Sequence, residues 1–500
     1  MKTLVIVLCA VTAMWIAASP GFSIAEETGS AVRDIGSRLE LFVDDYLIDT
    51  MDGIRLVLHE PVPREVVMVH DEPWEGSGSG YHTIFQDGDL YRMYYKAWHL
   101  QVDEDGVSIP HPVLAAYAES HDGKAWVKPD LGLFEFNGSK HNNLVWVGPG
   151  SHDFTPFRDT NPSCAPDALY KAVGNGGEKA LLGFKSPDGI HWSLIQEKPI
   201  MTGLPFDTQN LAFWDTVRHE YRAYVRDFDN AVRGIKTATS KDFITWTTPV
   251  WLAYPGSPEE ALYTNQVKPY YRAPHIFIGF PTRYVDRGWS PQMEALPELE
   301  ERRQRSLSSL RYGTVVTEGL FMTSRDGVTF HRWEEAFLRP GLRPKDGWTY
   351  GDNYIAWQVV RTDSDIEGAP DELSLYASEG YFKGASNALR RYTLRIDGFV
   401  SVKAPMSGGE LVTKPFTFTG KHLYLNFSTS AAGSVRIEVQ DANGTPIKGF
   451  SLDDCPELFG DSLSYIVFWN TGGDLSALAG KPVRLRFVMK DTDLYAVRFR

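Results

Sequence analysis

Three short segments of this 500-residue chain place an aspartate near an aromatic residue, with asparagine or glutamine following within two positions. They are FRDTNP (Phe157–Pro162), FDTQN (Phe206–Asn210) and YGDN (Tyr350–Asn353). A protonated carboxyl group can act as a general acid, and an ionised one as a base or nucleophile. Amide side chains can hold sugar hydroxyl groups. The pattern is therefore typical of sites that hydrolyse glycosidic bonds, where two carboxyl groups flank the bond.

The candidate catalytic residues are carboxylates expected at strand starts: Asp159, Asp207, Asp352 and Glu260. The sequence does not show which of them acts as acid, base or nucleophile. The candidate substrate-binding residues are other polar groups expected at the same face: Glu75, His82, Lys96, Asn210, Arg226, Gln266, Arg283 and Glu379. Aspartate also binds turn amides at strand starts, so each carboxylate has a structural alternative. Asp44 and Asp45 are second choices, because adjacent strand residues point to opposite faces.

A repeated motif defines the elements that must position these residues. Its four copies are SHDGKAW (Ser120–Trp126), SPDGIHW (Ser186–Trp192), SKDFITW (Ser240–Trp246) and SRDGVTF (Ser324–Phe330). The starting serines are 66, 54 and 84 residues apart, a spacing typical of radial or stacked repeats. Serine and aspartate side chains close turns by bonding nearby backbone amides. We therefore interpret the motif aspartates as turn formers: Asp122, Asp188, Asp242 and Asp326.

Tyrosine-rich strand pairs precede each copy, and a fifth unit without the motif follows. Five such units predict an all-β five-bladed β-propeller over residues 36–404. We expect Leu39–Asp49 to complete the last blade, because ring closure removes free sheet edges. Alternating strands after the propeller predict a β-sandwich over residues 405–500. In such a propeller the innermost strands begin at one face, where the candidate residues should meet.

One segment departs from the strand pattern. Residues Gly288–Gly313 have a helical composition with dense charge and lie inside the fourth unit. We expect a helical insertion on one face of the propeller, either a lid over the mouth or a solvated surface helix.

The N-terminus predicts export. Residues 1–25 combine Lys2, an apolar stretch and a small-residue cleavage site at Ser23–Ala25, which is typical of a signal peptide. A membrane anchor is the alternative reading. The expected location is secreted or periplasmic, with no membrane span after cleavage. The formal net charge of −14 argues against nucleic acid and anionic membranes as partners but does not identify a substrate. The carboxylate pattern makes carbohydrate the expected substrate.

Motifs for cofactors are missing from the sequence. It contains no phosphate-binding glycine loop, no Cys-x-x-Cys pair and no His-Glu-x-x-His. The acidic segment HLQVDEDG (His99–Gly106) could bind Ca²⁺ but lacks the spacing of a calcium loop. We therefore expect no cofactor and no metal.

At the level of motifs, the chain resembles secreted five-bladed propeller proteins related to glycoside hydrolase families 32 and 43. FRDTNP is similar to the second-blade Arg-Asp-Pro motif of family 32, whose aspartate stabilises the transition state, and the resemblance implies that role for Asp159. The first-blade Asn-Asp-Pro-Asn-Gly motif is replaced by the Ser79–His82 region, and Asp207 stands where the third-blade Glu-Cys motif belongs.

Three functions follow from these patterns. The first is an exported glycoside hydrolase acting on poly- or oligosaccharide. The second is a carbohydrate-binding propeller without catalysis, because the first-blade nucleophile motif is missing. The third is a sialidase-like hydrolase, since the repeated motif is similar to the sialidase Asp-box. That third function requires Arg158, Arg226 and Arg283 to gather around one carboxylate.

Overall fold

A computed structural model describes residues 32–103, 106–342 and 347–500 of the chain. The predicted signal peptide lies outside the described residues, as do two positions of the HLQVDEDG segment. The described part is a five-bladed β-propeller followed by a β-sandwich, which confirms the predicted fold class.

Four N-terminal strands pair with C-terminal ones, and a fifth strand belongs to the propeller. The first four are β1 (Arg33–Gly36), β2 (Glu40–Leu41), β3 (Ile48–Asp52) and β4 (Arg55–Leu58). The fifth is β5 (Val62–Val69), which pairs with the outer side of the last blade.

Blade one is an antiparallel sheet with a hairpin above it. Its strands are β6 (Gly80–Asp87), β7 (Leu90–Ala97), the hairpin β8 (Gln101–Asp103) and β9 (Gly106–Ser108), β10 (Leu114–Ser120) and β11 (Leu144–Val147). Blade two follows a 3₁₀ turn at Ser151–Asp153. Its strands are β12 (Thr155–Arg158), β13 (Tyr170–Gly177), β14 (Ala180–Ser186), β15 (Ser193–Leu194) and β16 (Met201–Thr202). A second 3₁₀ turn at Pro166–Ala168 lies between β12 and β13.

Blades three and four continue the same antiparallel order. Blade three consists of β17 (Leu211–Asp215), β18 (Glu220–Asp229), β19 (Val232–Ser240) and β20 (Val250–Trp251). Blade four begins with β21 (Lys268–Tyr270), β22 (Ala273–Gly279) and β23 (Thr282–Asp286). The insertion then forms three short helices, α1 (Pro291–Glu294), α2 (Leu299–Ser306) and α3 (Arg311–Thr314). The blade ends with β24 (Val315–Gly319), β25 (Met322–Ser324) and β26 (His331–Arg332).

Blade five and the sandwich complete the chain. The blade uses β27 (Val360–Thr362), β28 (Glu372–Glu379) and β29 (Ala388–Arg395). The sandwich strands are β30 (Val400–Ala404), β31 (Gly409–Thr413), β32 (Phe416–Phe418), β33 (Leu423–Asp441), β34 (Asp461–Ile466) and β35 (Val483–Phe499). A 3₁₀ turn at Ser476–Leu478 lies between β34 and β35. Buried and exposed residues alternate along much of β33 and β35, and the buried ones enclose a separate apolar core.

The segment that closes the propeller differs from the predicted one. Strand β5 pairs with β29, with Val69 opposite Ala388 and Met68 opposite Leu389. The predicted closing segment, Leu39–Asp49, instead carries β2 and the start of β3, which pair with β35 and β31. Its apolar side chains explain the difference, because Phe42 and Leu47 are buried in the core of the sandwich.

The repeated motif forms the same turn four times, as predicted. In the second copy the Ser186 hydroxyl accepts from the Gly189 amide, while Asp188 accepts from the amides of Ile190 and His191. The Trp192 indole donates to the Gly189 carbonyl at 3.0 Å. Equivalent serine and aspartate bonds recur at Asp122, Asp242 and Asp326. The side chains of these aspartates therefore stabilise the turns.

Polar side chains fill the channel between the blades. The Gln209 amide donates to the Tyr81 carbonyl at 3.0 Å, which joins blade three to blade one. The Gln266 amide donates to Gln209 at 2.8 Å and to the Ile355 carbonyl at 2.8 Å. The fully buried Trp357 donates to the Val267 carbonyl. These contacts connect the blades across the central channel. We call the end of the channel at which the inner strands begin the mouth.

Candidate functional site

Two buried polar residues join the starts of neighbouring inner strands at the mouth. Asp153 precedes β12, and Asn210 precedes β17. The Asn210 side chain donates to Asp153 at 2.6 Å, and the Asn175 amide donates to the other carboxyl oxygen at 2.5 Å. Burial raises the pKa of Asp153 from 3.8 to about 8, although both hydrogen bonds oppose that change. Asp153 therefore keeps its proton to a higher pH than an ordinary aspartate does.

Five tyrosines from three blades form one buried group at the mouth, the tyrosine cluster: Tyr81, Tyr263, Tyr350, Tyr354 and Tyr381. The rings of Tyr263 and Tyr354 are 5.3 Å apart, and the Tyr350 hydroxyl donates to that of Tyr263 at 2.6 Å. The hydroxyl of Tyr354 is buried and has no hydrogen-bond partner among the described residues. Aromatic rings of this kind offer flat apolar faces and polar tips, the combination that sugar rings contact.

Lys96 lies against this cluster at the end of β7. Its ammonium group donates to the Tyr381 hydroxyl at 2.7 Å and lies 4.7 Å from the centre of the Tyr81 ring. Burial lowers the pKa of Lys96 to about 7; Asp153 opposes this change and the charge of Arg311 adds to it. Lys96 can therefore change its charge near neutral pH.

Three arginines border the same cluster. Arg226 forms an ion pair with Asp207 at 3.1 Å and donates to the Tyr263 carbonyl. The guanidinium of Arg233 lies 4.2 Å from the centre of the Tyr284 ring, and that of Arg311 lies 5.3 Å from the centre of the Tyr350 ring. Because the Asp207 side chain is 46% exposed, this edge of the mouth is open to water.

Asp352 also borders the cluster, at the start of blade five. It accepts from the Tyr381 amide at 2.9 Å and is fully buried. The positive charges of Arg302 and Arg305, both on α2, act on it. Arg302 also donates to the carbonyls of Gly347 and Trp348.

The insertion packs against the propeller beside the tyrosine cluster, so a lid over the mouth stays a prediction. Helix α2 packs against the hairpin β8–β9 of blade one. Tyr312 on α3 contacts the tyrosine cluster, with its ring centre 5.3 Å from that of Tyr350 and 4.6 Å from that of Phe382. The alternative of an isolated, solvated surface helix is wrong.

The predicted position of Asp159 is wrong. This residue follows the last residue of β12 instead of preceding its first, so it lies at the opposite end of the channel. It forms an ion pair with Lys171 and accepts from the Tyr221 hydroxyl at 2.6 Å. Asp153 occupies the place at the start of the blade-two strand that we predicted for Asp159 from the strand pattern. The signal for it was the segment His152–Phe154, directly before the strand.

Several other predicted residues lie at the mouth or beneath it. Asp207, Asp352, Lys96 and Arg226 surround the tyrosine cluster. The side chains of Asn210 and Gln266 are bound to Asp153 and Gln209, and they position other groups. His82 follows Tyr81, but its ring nitrogen lies 3.0 Å from that of His70 inside the fold.

The remaining candidates lie apart from the cluster. Glu260 and Arg283 pair with each other at 3.0 Å, and Arg332 binds the second oxygen of Glu260. Glu379 pairs with Arg390 at 2.6 Å. Glu75 is buried within blade one, where it accepts from the Tyr95 hydroxyl at 2.5 Å and from Lys128 at 2.7 Å.

The three arginines of the sialidase-like hypothesis do not gather. Arg158 pairs with Asp87, Arg226 with Asp207, and Arg283 with Glu260. Because Arg158 ends β12, it lies at the other end of the channel from Arg226. This arrangement contradicts the convergence that the hypothesis requires.

Residues 32–103, 106–342 and 347–500 contain no group of three or more His, Cys, Asp or Glu side chains arranged to hold a metal ion. In the same part of the chain, every helix is too short or too polar to cross a bilayer.

Comparisons with known proteins find similarity only among solved structures. No family model and no curated protein matches the chain. A family 62 α-L-arabinofuranosidase from Coprinopsis cinerea is 10% identical, with a TM-score of 0.41, covering 68% of this chain and 99% of its own. A family 32 β-fructofuranosidase from Bombyx mori is 8% identical, with a TM-score of 0.40, covering 88% of this chain and 95% of its own. A fructofuranosidase from Schwanniomyces occidentalis is 13% identical, with a TM-score of 0.37, covering 90% and 98% respectively.

Proposed function

We propose that this chain is an exported glycoside hydrolase acting on poly- or oligosaccharide, with the mouth as its active site. The observation that carries the proposal is that two carboxylates, Asp207 and Asp352, border one aromatic cluster. Asp207 reaches the cluster through Arg226, which contacts Tyr263, and Asp352 reaches it through Tyr381. Glycosidases use two carboxyl groups that flank the scissile bond, and these two are the carboxylates that border the cluster.

Each part of the mouth has a function in this proposal. The tyrosine faces bind sugar rings, and the hydroxyl of Tyr354 is available to a sugar hydroxyl. Asp207 and Asp352 are the catalytic pair. Asp153 contacts neither cluster nor solvent with its oxygens, so it is a positioning residue that holds Asn210 and the strand starts. The lid excludes water around the bond, which strengthens the electrostatic interactions inside.

An activity screen tests the proposal. Purified protein is incubated with a panel of polysaccharides, and the release of reducing ends is measured. We expect Asp207→Asn and Asp352→Asn each to reduce turnover by about 10²- to 10⁴-fold, the usual contribution of a positioned acid or base. Asp159→Asn is the matched control, because Asp159 is also a buried carboxylate but lies at the other end of the channel.

The result that contradicts the proposal is turnover that survives both substitutions, or its loss in the Asp159→Asn control when that variant is folded. If the enzyme is active, azide is added to Asp207→Ala and Asp352→Ala to test whether it restores turnover. The anomer of the product, determined by NMR, then assigns the nucleophile. Thermal melting of every variant separates loss of chemistry from loss of fold.

A second function, carbohydrate binding without catalysis, is favoured by one specific observation. The inner strand of blade one begins with Gly80, Tyr81 and His82, so no carboxylate is present at that start. This alternative predicts saturable binding of an oligosaccharide with no product on prolonged incubation.

A further inference from the structure

Three cations contact the tyrosine cluster or its rim without a carboxylate within ion-pair distance among the described residues. They are Lys96, Arg233 and Arg311, and each lies over one or more aromatic rings. Among residues 32–103, 106–342 and 347–500, Lys96 bonds only a tyrosine hydroxyl, and the buried Nε atom of Arg233 has no hydrogen-bond partner. Arg233 and Arg311 are partly exposed, whereas Lys96 is buried. A ligand in the mouth would therefore meet positive charge that no carboxylate of the described residues neutralises.

The chain has a formal net charge of −14, so carboxylates are available to pair with its cations. In other parts of the propeller, Arg391 is bound by Glu65 and Glu372, and Arg332 by Glu260. Cations that are taken out of water cost free energy unless opposite charge or hydrogen-bond acceptors compensate them. At the mouth the compensation inside the protein comes mainly from ring faces, which replace an ion pair only in part.

Polar atoms without partners mark the same space. The hydroxyl of Tyr354 is buried and has no hydrogen-bond partner among the described residues, and the same holds for Nδ1 of His152. The His152 ring packs edge-on against Tyr81, at 5.7 Å between ring centres. Buried polar atoms of this kind normally bind water or a ligand.

We propose that the mouth binds a sugar that carries an anionic group, a carboxylate or a sulfate, and that Lys96, Arg233 and Arg311 receive its charge. The inference deepens the proposed function, because it concerns the same site, but it does not require turnover. Guanidinium groups bind planar or tetrahedral oxyanions through paired N–H donors, a contact that a neutral sugar hydroxyl does not offer. The tyrosine faces would hold the ring of the same sugar.

Monosaccharides test the inference without hydrolysis, since they contain no glycosidic bond. We would measure binding by calorimetry for the uronic acid, the 6-sulfate and the neutral form of glucose, galactose and mannose. We expect at least one anionic form to bind at least 10-fold more tightly than its neutral counterpart. The carboxylate and sulfate arms identify which anion the mouth prefers.

Charge variants locate the effect. Arg233→Gln and Arg311→Gln should each weaken binding of the anionic sugar about 10-fold, with little change for the neutral sugar. Arg311→Lys keeps the charge and should retain part of the affinity. Arg303→Gln is the matched control, because Arg303 lies on α2 but its side chain is half exposed and pairs with Glu294 and Glu300. A variant with a lowered melting temperature is replaced by its charge-conserving partner.

Equal binding of neutral and anionic sugars, no binding in any arm, or equal weakening of both forms by the arginine variants would overturn the inference. Its failure is distinguishable from that of the proposed function. If the protein hydrolyses only neutral polysaccharides, the proposed hydrolase function stands and the proposed anionic ligand is wrong. If the protein binds an anionic sugar selectively but turns over no polysaccharide, the proposed ligand stands and the proposed hydrolase function is wrong.

Discussion

Asp153 accepts a hydrogen bond at 2.6 Å from the side chain of Asn210, and this contact joins the start of the inner strand of blade two to that of blade three. Asn210 also donates to the carbonyls of Phe206 and Thr208, and its own oxygen accepts from the Arg226 amide. The amide therefore positions both the carboxyl of Asp153 and the arginine that binds Asp207.

We predict that Asn210→Ala destabilises the protein by roughly 1–3 kcal/mol, because the buried Asp153 loses a donor and backbone groups lose a partner. Chemical denaturation measures the change. Asn161→Ala is the control, since the Asn161 side chain is only partly buried and bonds Tyr221 at the opposite end of the channel. A loss no larger than that of the control would show that the contact contributes little.

The raised pKa of Asp153 predicts a pH-dependent stability. Its pKa of about 8 lies above the unfolded value of 3.8, so the folded state binds the proton more tightly. The contribution of this proton to the free energy of unfolding is present in full below about pH 4 and is lost as the pH rises toward 8. Each pKa unit corresponds to about 1.4 kcal/mol. We expect the melting temperature of the wild type to fall over this range relative to that of Asp153→Asn, which cannot ionise. Parallel curves for the two proteins would contradict the assignment.

The repeated turn predicts a stability cost without an effect on the mouth. Asp188→Ala removes two backbone hydrogen bonds and one from Ser186, which should cost about 1–2 kcal/mol. Burial acts to raise the pKa of Asp188, but the bonds from His191 and Ile190 outweigh it and hold the pKa below the usual range. This contribution is present above pH 4 and is lost as the pH falls below it. Asp167→Ala is the control, because Asp167 is exposed and pairs only with Lys185. A cost at or below that of the control would contradict the turn interpretation.

The closure of the ring can be tested at Arg391. This buried residue of β29 binds Glu65 of β5 at 2.7 Å and Glu372 of β28 at 3.1 Å. We predict that Arg391→Met destabilises the protein by roughly 2–4 kcal/mol, less than for fully buried pairs because Glu65 is 44% exposed. Arg361→Met is the control, because Arg361 pairs with Asp371 at the surface. Hydrogen exchange should show faster opening of β5 in Arg391→Met. Unchanged exchange in β5 would argue against a closing role for this pair.

Local patterns in the sequence predicted the blades well. The four motif copies specify turns through bonds between residues at most five positions apart, such as Asp188 with His191. Short-range bonds of this kind depend on few distant contacts, so they can be predicted from residue types and spacing. The insertion in the fourth unit was visible for a similar reason, as a break in strand alternation.

The closing strand and the position of Asp159 were beyond such patterns. β5 reaches its partner across more than 300 residues, and Leu39–Asp49 has an equally strand-like composition. Only the packing of Phe42 and Leu47 in the core of the sandwich decides between the two segments. Similarly, FRDTNP and the His152–Phe154 segment flank the same short strand, and only the pairing of that strand shows which one lies at its start.

The sequence by itself determined the all-β class, the five repeated units, the four turns and some of the polar residues at the mouth, such as Asp207, Asp352 and Asn210. These properties depend on alternation and on short-range hydrogen bonds. The tertiary structure decided which carboxylates share one face, which tyrosines form the cluster, and that Lys96, Arg233 and Arg311 meet there without carboxylate partners among the described residues. Those relationships depend on contacts between blades that are far apart in the chain, and no local pattern specifies them.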